Sequence, residues 1–439
     1  MNIQEKLEVE QRTKSWMKAY SNDLEQKIVA ASEKQEGSYQ QLAKRFSVSL
    51  GFIQKLAISG AIATTAAFGS FVVSVQAATF TLPIEPAAKA TGVDVLRDRY
   101  NLDGTGITIG ILSDSFATAE AFDAFGNLDT YATNIANGYL PSGVNVLKDY
   151  AAPDATDEGR AISQLIHAVA PGAKLAFYTS EGGVNDFGQG IQALANVGAD
   201  IIVDDRGYVP QNFPDVPLDL LDLEPPNGPI NQAINAVVNR GISYFTSAGN
   251  SNFPPNSVMP NIPIYGHANN PNALTVGAVY YGNAPSYFNR PFGVVVEQGQ
   301  LQPFSSQGIP GLLKPDVVAP DGLAISFGLG ENAPRLANPG FFDFFGTSAS
   351  APFTAAVAAL LLQAKPTATP TEIYSVLRNT AVSPSSGFDS RYGFGLIRGD
   401  KAITALGVKS VPEPSAIPAL LFVAVAIALF LKRSQTLPA

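Results

Sequence analysis

The chain has 439 residues, 46% of them hydrophobic, with no cysteine and two histidines. Disulfides, thiolate metal sites, iron–sulfur clusters and cysteine nucleophiles are excluded, and His-based chemistry is confined to His167 and His267. The net charge of −9 is uneven: residues 1–55 carry nine basic and seven acidic side chains, the remainder 19 and 30. An acidic body argues against a nucleic-acid groove, and its length allows a large core without covalent staples.

In chain order, residues 1–55 are polar and helix-prone. Ser38–Phe46 reads as a helix, Ser47-Val48-Ser49 as a turn and Leu50–Leu56 as a second helix, with Leu42, Phe46, Val48, Phe52, Ile53 and Leu56 as a small shared core. This leader resembles the helix-turn-helix of transposase-like DNA-binding proteins. Residues 56–77 follow a basic flank (Lys44, Arg45, Lys55), begin with an uncharged run of 18 residues and end in Val75-Gln76-Ala77. That order reads as a secretory signal cleaved after Ala77. An uncleaved membrane helix is the alternative. Cleavage would remove the DNA-binding resemblance, so no nucleic-acid partner is expected of the mature protein. Residues 78–94 read as a linker.

Residues 95–406 alternate apolar runs with helical patterns. Strands are expected at Ile107–Leu112, Leu175–Tyr178, Ile201–Val203 and Ser243–Phe245, and helices at Gly159–Val169, Asp186–Val197 and Ile230–Arg240. Such alternation means crossover units: an α/β fold with a mostly parallel sheet and helices on both faces.

The tail, residues 407–439, holds Val411-Pro412-Glu413-Pro414, an apolar run of 16 residues from Ala416 to Leu431, then Lys432-Arg433. It resembles the PEP-CTERM signal of bacterial exported proteins. The resemblance implies a transmembrane helix, an exosortase-type sorting enzyme as partner, and a cell-envelope or extracellular location. A plain C-terminal anchor is the simpler alternative.

The chemistry centres on Gly346-Thr347-Ser348-Ala349-Ser350-Ala351-Pro352, followed by an expected helix at Phe353–Gln363. A Gly turn presenting a Ser at a helix N-terminus suits a nucleophile, because the N-terminal N–H groups favour developing negative charge. The segment resembles the nucleophile motif of subtilisin-like proteases, usually Gly-Thr-Ser-Met-Ala-Ser-Pro. Other segments match in the family's order. Gly110-Ile111-Leu112-Ser113-Asp114 ends a strand in an acid, and Thr246-Ser247-Ala248-Gly249-Asn250 resembles the oxyanion segment. Asn272–Ala278, Phe304–Gly308, Lys314–Pro320, Thr369–Ile373 and Tyr392–Gly395 resemble later core segments. The resemblance implies a subtilisin-like three-layer sandwich and peptide-bond hydrolysis, with Ser348 as nucleophile, Asp114 as triad acid and Asn250 as oxyanion donor. It also implies Asp205 and Gly207 in the substrate-binding strand, from Asp204-Asp205-Arg206-Gly207.

The family's His-Gly-Thr motif is matched by Asp157-Glu158-Gly159, which places Glu158 where His belongs. His167 lies nine residues further along the same helix, about 13 Å along its axis. His267 has no motif match. Three readings stay open: Glu158 is the general base, as the Glu of sedolisins is; the site is degenerate and the protein binds at the cell surface; or the alignment shifts by one and Asp157 matters. Sedolisins carry a further acid four residues after the Glu, here Ile162, and an oxyanion Asp, here Asn250. Asp205 could join Glu158 and Asp114 in a carboxylate cluster, or form a surface ion pair with Arg206. The expected partner is a protein or peptide substrate. No cofactor is required; the family often binds Ca²⁺, but no dense Asp/Asn ligand loop stands in the chain.

Overall fold

In a computed structural model of the chain, residues 80–207, 227–253, 261–329, 340–385 and 387–410 are described. The expected helix-turn-helix leader (1–55), the expected signal segment (56–77) and residues 411–439 of the expected sorting tail (407–439) lie outside them.

The apolar runs form seven strands: β1 (Thr108–Ser113), β2 (Asn145–Lys148), β3 (Lys174–Thr179), β4 (Ile201–Asp204), β5 (Ser243–Ser247), β6 (Leu274–Tyr280) and β7 (Val317–Asp321). Their order is β7-β6-β5-β4-β1-β3-β2, and every pairing is parallel. Alternate residues serve opposite faces. Ile109, Ile111, Phe177, Val203 and Phe245 enter one core, while Leu112, Ala176, Ile202 and Tyr244 enter the other.

Helices cover both faces, as expected. α1 (Glu158–Val169) and α4 (Thr347–Ala364) pack in the first core, and α2 (Gly183–Asn196) and α3 (Pro229–Asn239) in the second. On α2 the buried Phe187, Ile191, Leu194 and Ala195 form one apolar stripe at helical spacing. α4 is different: its residues from Thr347 to Leu362 are buried all round. It is long and apolar enough to cross a membrane, yet it is the central helix of this core. α5 (Pro370–Asn379) starts at a capping box in which Thr369 and Glu372 satisfy each other's N–H groups.

Two expectations need correction. Residues 78–94 are not simply a linker. Leu82, Ile84, Ala87, Ala88 and Val93 are buried in the same core as α1 and α4, on helices Glu85–Thr91 and Val93–Tyr100 or just before them. Short alanine-rich pieces carry little periodicity, so their burial is set by the surface they meet. The helix that carries Ser348 starts at Thr347, not Phe353, and runs through Pro352. A Pro there lacks an N–H and crowds the carbonyl four residues earlier, that of Ser348. The first turn is held from outside instead: Ser350 Oγ donates to the carbonyls of Ala319 and Pro320, each at 3.1 Å.

β1 lies between β3 and β4, so chain connections leave it in both directions. Such a switch point opens a crevice at the carboxyl ends of the strands. Leu112 of β1 stands beside Asp204 of β4, which brings Asp114 and Asp205 to neighbouring strand ends.

Candidate active site

Asp114, just beyond β1, is buried and faces the main chain. Its Oδ1 accepts the N–H of Glu158 at 2.9 Å and that of Ser115. Its Oδ2 accepts the N–H and the hydroxyl of Thr156 at 2.7 and 2.6 Å. Asp114 therefore fixes the chain that enters α1 and does not hold the Glu158 carboxyl itself.

Glu158 opens α1, and its carboxyl lies close enough to the carboxyl of Asp205 and the hydroxyl of Ser348 for both to act on its proton affinity. Loss of solvent raises the proton affinity of Glu158, with the charge of Asp114 next; Arg206, Asp205 and Ser348 act the other way. Asp205 is pushed well above the usual carboxylate range, by burial first and the Glu158 charge second. Its Oδ2 accepts from Ser113 Oγ at 3.2 Å, while its Oδ1 is buried without an N–H or O–H partner. Two carboxyls so placed share a proton. The carboxyls of Asp114, Glu158 and Asp205 thus lie close enough to act on one another, Asp114 on Glu158 through its charge and Glu158 on Asp205 likewise.

The Asp205–Arg206 surface pair does not form. The Arg206 guanidinium pairs with Glu181, and Asp205 is buried. Ile162, where sedolisins carry their acid, lies in the apolar core.

Asp157 is occupied elsewhere. Its Oδ1 accepts the N–H groups of Thr118 and Ala119, both at 2.9 Å, and its Oδ2 pairs with Arg160 Nη2 at 2.9 Å. Arg160 is fully buried, bonded to Asp129 at 2.5 Å and to Asn134 at 2.8 Å, with Phe327 below its guanidinium. This cluster locks the left-handed Asp157, φ 59°, immediately before Glu158.

Asn250 follows β5. Its Oδ1 accepts the N–H of Thr347 at 2.9 Å and the Thr347 hydroxyl at 3.0 Å. The amide orientation is thereby set, and the Nδ2 donors are uncommitted among the described residues. Asn250, Asp205, Gly207, Ser247 and Thr347 line one cavity of about 160 Å³ beside the turn that leads into Ser348. Gly207 is required there, because an added Cβ would stand 2.6 Å from the Tyr265 hydroxyl.

The two histidines part company. Burial, with Arg97 nearby, lowers His167 to about 4, as suits a packed helix residue. His267 was missed as a site residue. It lines the same cavity, and its Nε2 lies 3.1 Å from Asp204 Oδ1. The only sequence signal is its place in the loop before β6, which does not reveal that β4 presents Asp204 to it.

Among the described residues, no group of three His, Asp or Glu side chains could hold a metal ion.

With the strand order and the site in place, residues 146–395 match the Subtilase family pattern of peptidases. The chain belongs to the subtilase family. Serine protease AprX of Bacillus subtilis (strain 168) is 24% identical to this subtilase over 335 residues, 71% of this chain and 69% of that protein. Fervidolysin of Fervidobacterium pennivorans is 30% identical over 180 residues, 40% of this chain and 23% of its own length. A crystal structure of a lanthipeptide protease superposes on the subtilase with a TM-score of 0.52 at 16% identity, covering 76% of this chain and 100% of that one, a likeness of fold.

Proposed function

We propose that the protein is an exported serine-type endopeptidase in which Ser348 is the nucleophile and Glu158 the general base. The observation that carries this reading is the proximity of the Glu158 carboxyl to both the Ser348 hydroxyl and Asp205, which act on it electrostatically. Ser348 Oγ attacks the peptide carbonyl carbon as Glu158 takes its proton. The tetrahedral oxyanion forms where Asn250 Nδ2 can donate to it, a kind of contact whose loss costs on the order of 10²–10³ in rate. Glu158 then returns the proton to the leaving amine, giving an acyl-serine. Water, deprotonated by Glu158, cleaves that ester and regenerates the hydroxyl.

Asp205 supplies or withdraws a proton at the far side of Glu158, and Asp114 holds the backbone. A carboxylate base implies an acid-shifted optimum relative to a His base near ~6.5. Protein or peptide chains are the substrates. Membrane attachment through the C-terminal helix and processing by an exosortase-type enzyme rest on the tail motif alone.

The test uses the full chain, assayed on casein from pH 3 to 9 and treated with an acyl-serine probe. Activity below neutral pH that disappears in Ser348→Ala and Glu158→Gln is expected. Activity that survives Ser348→Ala overturns the assignment. No activity and no labelling at any pH replaces the enzyme with a surface binding protein on a protease fold.

A further inference from the structure

Behind the nucleophile turn lies a second buried acid that the mechanism above does not use. Asp321 ends β7 and is fully buried. Its Oδ2 accepts the N–H of Gly346 at 3.1 Å, and its Oδ1 accepts from Gln302 Nε2 at 2.7 Å. Gly346 immediately precedes α4 with φ 121° and ψ 162°, a conformation that L side chains rarely adopt. The other end of this turn is tied through Thr347 to Asn250. The short path from Gly346 to Ser348 is thus clamped from two sides, by an amide and by a carboxylate.

The Asp321 side continues outward. Tyr287 donates to Gln302 Oε1 at 2.7 Å, and Asn289 Nδ2 donates to the Tyr287 hydroxyl at 3.1 Å. Tyr287 and Asn289 belong to the strand Ser286–Asn289, which pairs with Val294–Glu297 as an antiparallel ribbon. A continuous hydrogen-bonded chain therefore runs from this ribbon to the turn that carries the nucleophile.

We propose that Asp321 is a positioning residue for Ser348: its carboxylate anchors Gly346, and its ionisation sets how firmly the nucleophile turn is held. This deepens the serine-peptidase reading and rests on it. The physical reason is that an N–H bond to a carboxylate is roughly twice as strong as one to a neutral acceptor. The charged or titratable groups facing Asp321 are Asp343, on the strand Phe342–Phe344, and the hydroxyls of Tyr280 and Tyr287. No cation is among the groups that shift it, and burial pushes Asp321 up to about 7. The clamp tightens as pH rises through that value and loosens below it.

The test reads the turn and the chemistry separately in the full chain. The amide resonance of Gly346 is followed by NMR from pH 5 to 9 in wild type, Ser348→Ala and Asp321→Asn. Acyl-serine probe labelling of Ser348 is timed over the same range in wild type and Asp321→Asn. We expect the Gly346 amide to titrate around pH 7 in wild type and Ser348→Ala, and to stay flat in Asp321→Asn. The ratio of wild-type to Asp321→Asn labelling, which removes the pH dependence of the Glu158 base common to both, should rise about three- to tenfold across that step, the size of a modest hydrogen-bond difference. Labelling itself should persist in Asp321→Asn. Asp343→Asn should move the midpoint downward, since it removes a neighbouring negative charge. A Gly346 amide that does not titrate, or a labelling ratio that stays flat across that step, overturns the proposal. A titrating Gly346 with no labelling of Ser348 at any pH overturns the nucleophile assignment instead and leaves Asp321 as an anchor of the turn only.

Discussion

Asp114 Oδ1 accepts the backbone N–H of Glu158 at 2.9 Å, so these two acids meet side chain to main chain. Asp205 and the Glu158 carboxyl act on each other electrostatically, side chain to side chain. The two acids should therefore fail differently. Asp114→Asn replaces one acceptor oxygen with an NH₂ among donors from Ser115, Thr156 and Glu158. The misplaced helix start should lower turnover roughly 10²-fold at every pH. Asp205→Asn keeps a donor beside Glu158 and removes a titration. It should retain activity at acid pH and lose the alkaline limb of the kcat/KM profile. A pH-independent loss in Asp205→Asn would reverse the two roles.

Arg160 is a separate point of failure. Its guanidinium is buried between Asp129 and Asp157. Arg160→Met leaves both carboxylates without their cation, a change expected to cost about 3–5 kcal/mol. Urea unfolding of wild type and variant measures it. An unchanged midpoint would mean that the two acids find other partners.

His267 and Asp204 lie under the wall of the 160 Å³ cavity. Asp204 Oδ1 also accepts from Thr246 Oγ1 at 2.9 Å, so part of the support survives without the imidazole. His267→Gln should raise KM about tenfold, or ~1.4 kcal/mol of binding, with little change in kcat. A series of peptides varied at the residue before the cut reads this out. A fall in kcat at constant KM would place His267 in the chemistry instead.

Stability should fall on the alkaline side. Asp321 and Asp343 are both raised to about 7, by burial above all. A carboxyl whose folded value lies above its unfolded one stabilises the fold at low pH. That contribution fades as pH climbs from ~4, the unfolded value, through about 7. The wild-type melting temperature is thus expected to drop between pH 5 and 8, and to drop less in Asp343→Asn. Equal drops in both proteins would show that Asp343 is not titrating in that window.

Much of this was legible because buried parallel strands must be apolar on both faces. β1, β3, β4 and β5 announce themselves that way, whereas the edge strand β2, exposed at Asn145 and Val146, does not. Asp114, Glu158, Asn250 and Ser348 were visible because they sit in motifs at strand ends or helix starts. The partner of Glu158 was less visible, since it depends on β4 lying beside β1 across a large sequence gap. His267 was invisible for the same reason. Pro352 misled because local chemistry says stop, while the carbonyls of Ala319 and Pro320 hold the preceding turn in place.

The helix that carries Ser348 also sets a clock. All seven strands precede it in the chain, and it packs against β4 to β7 and α1. A chain still being made holds Ser348 before it holds the rest of the helix. A protein truncated after Ser350 contains Ser348 yet leaves the sheet face beside α1 without its central helix. On the proposed mechanism, the geometry around Ser348 is complete only once the core has closed around this helix.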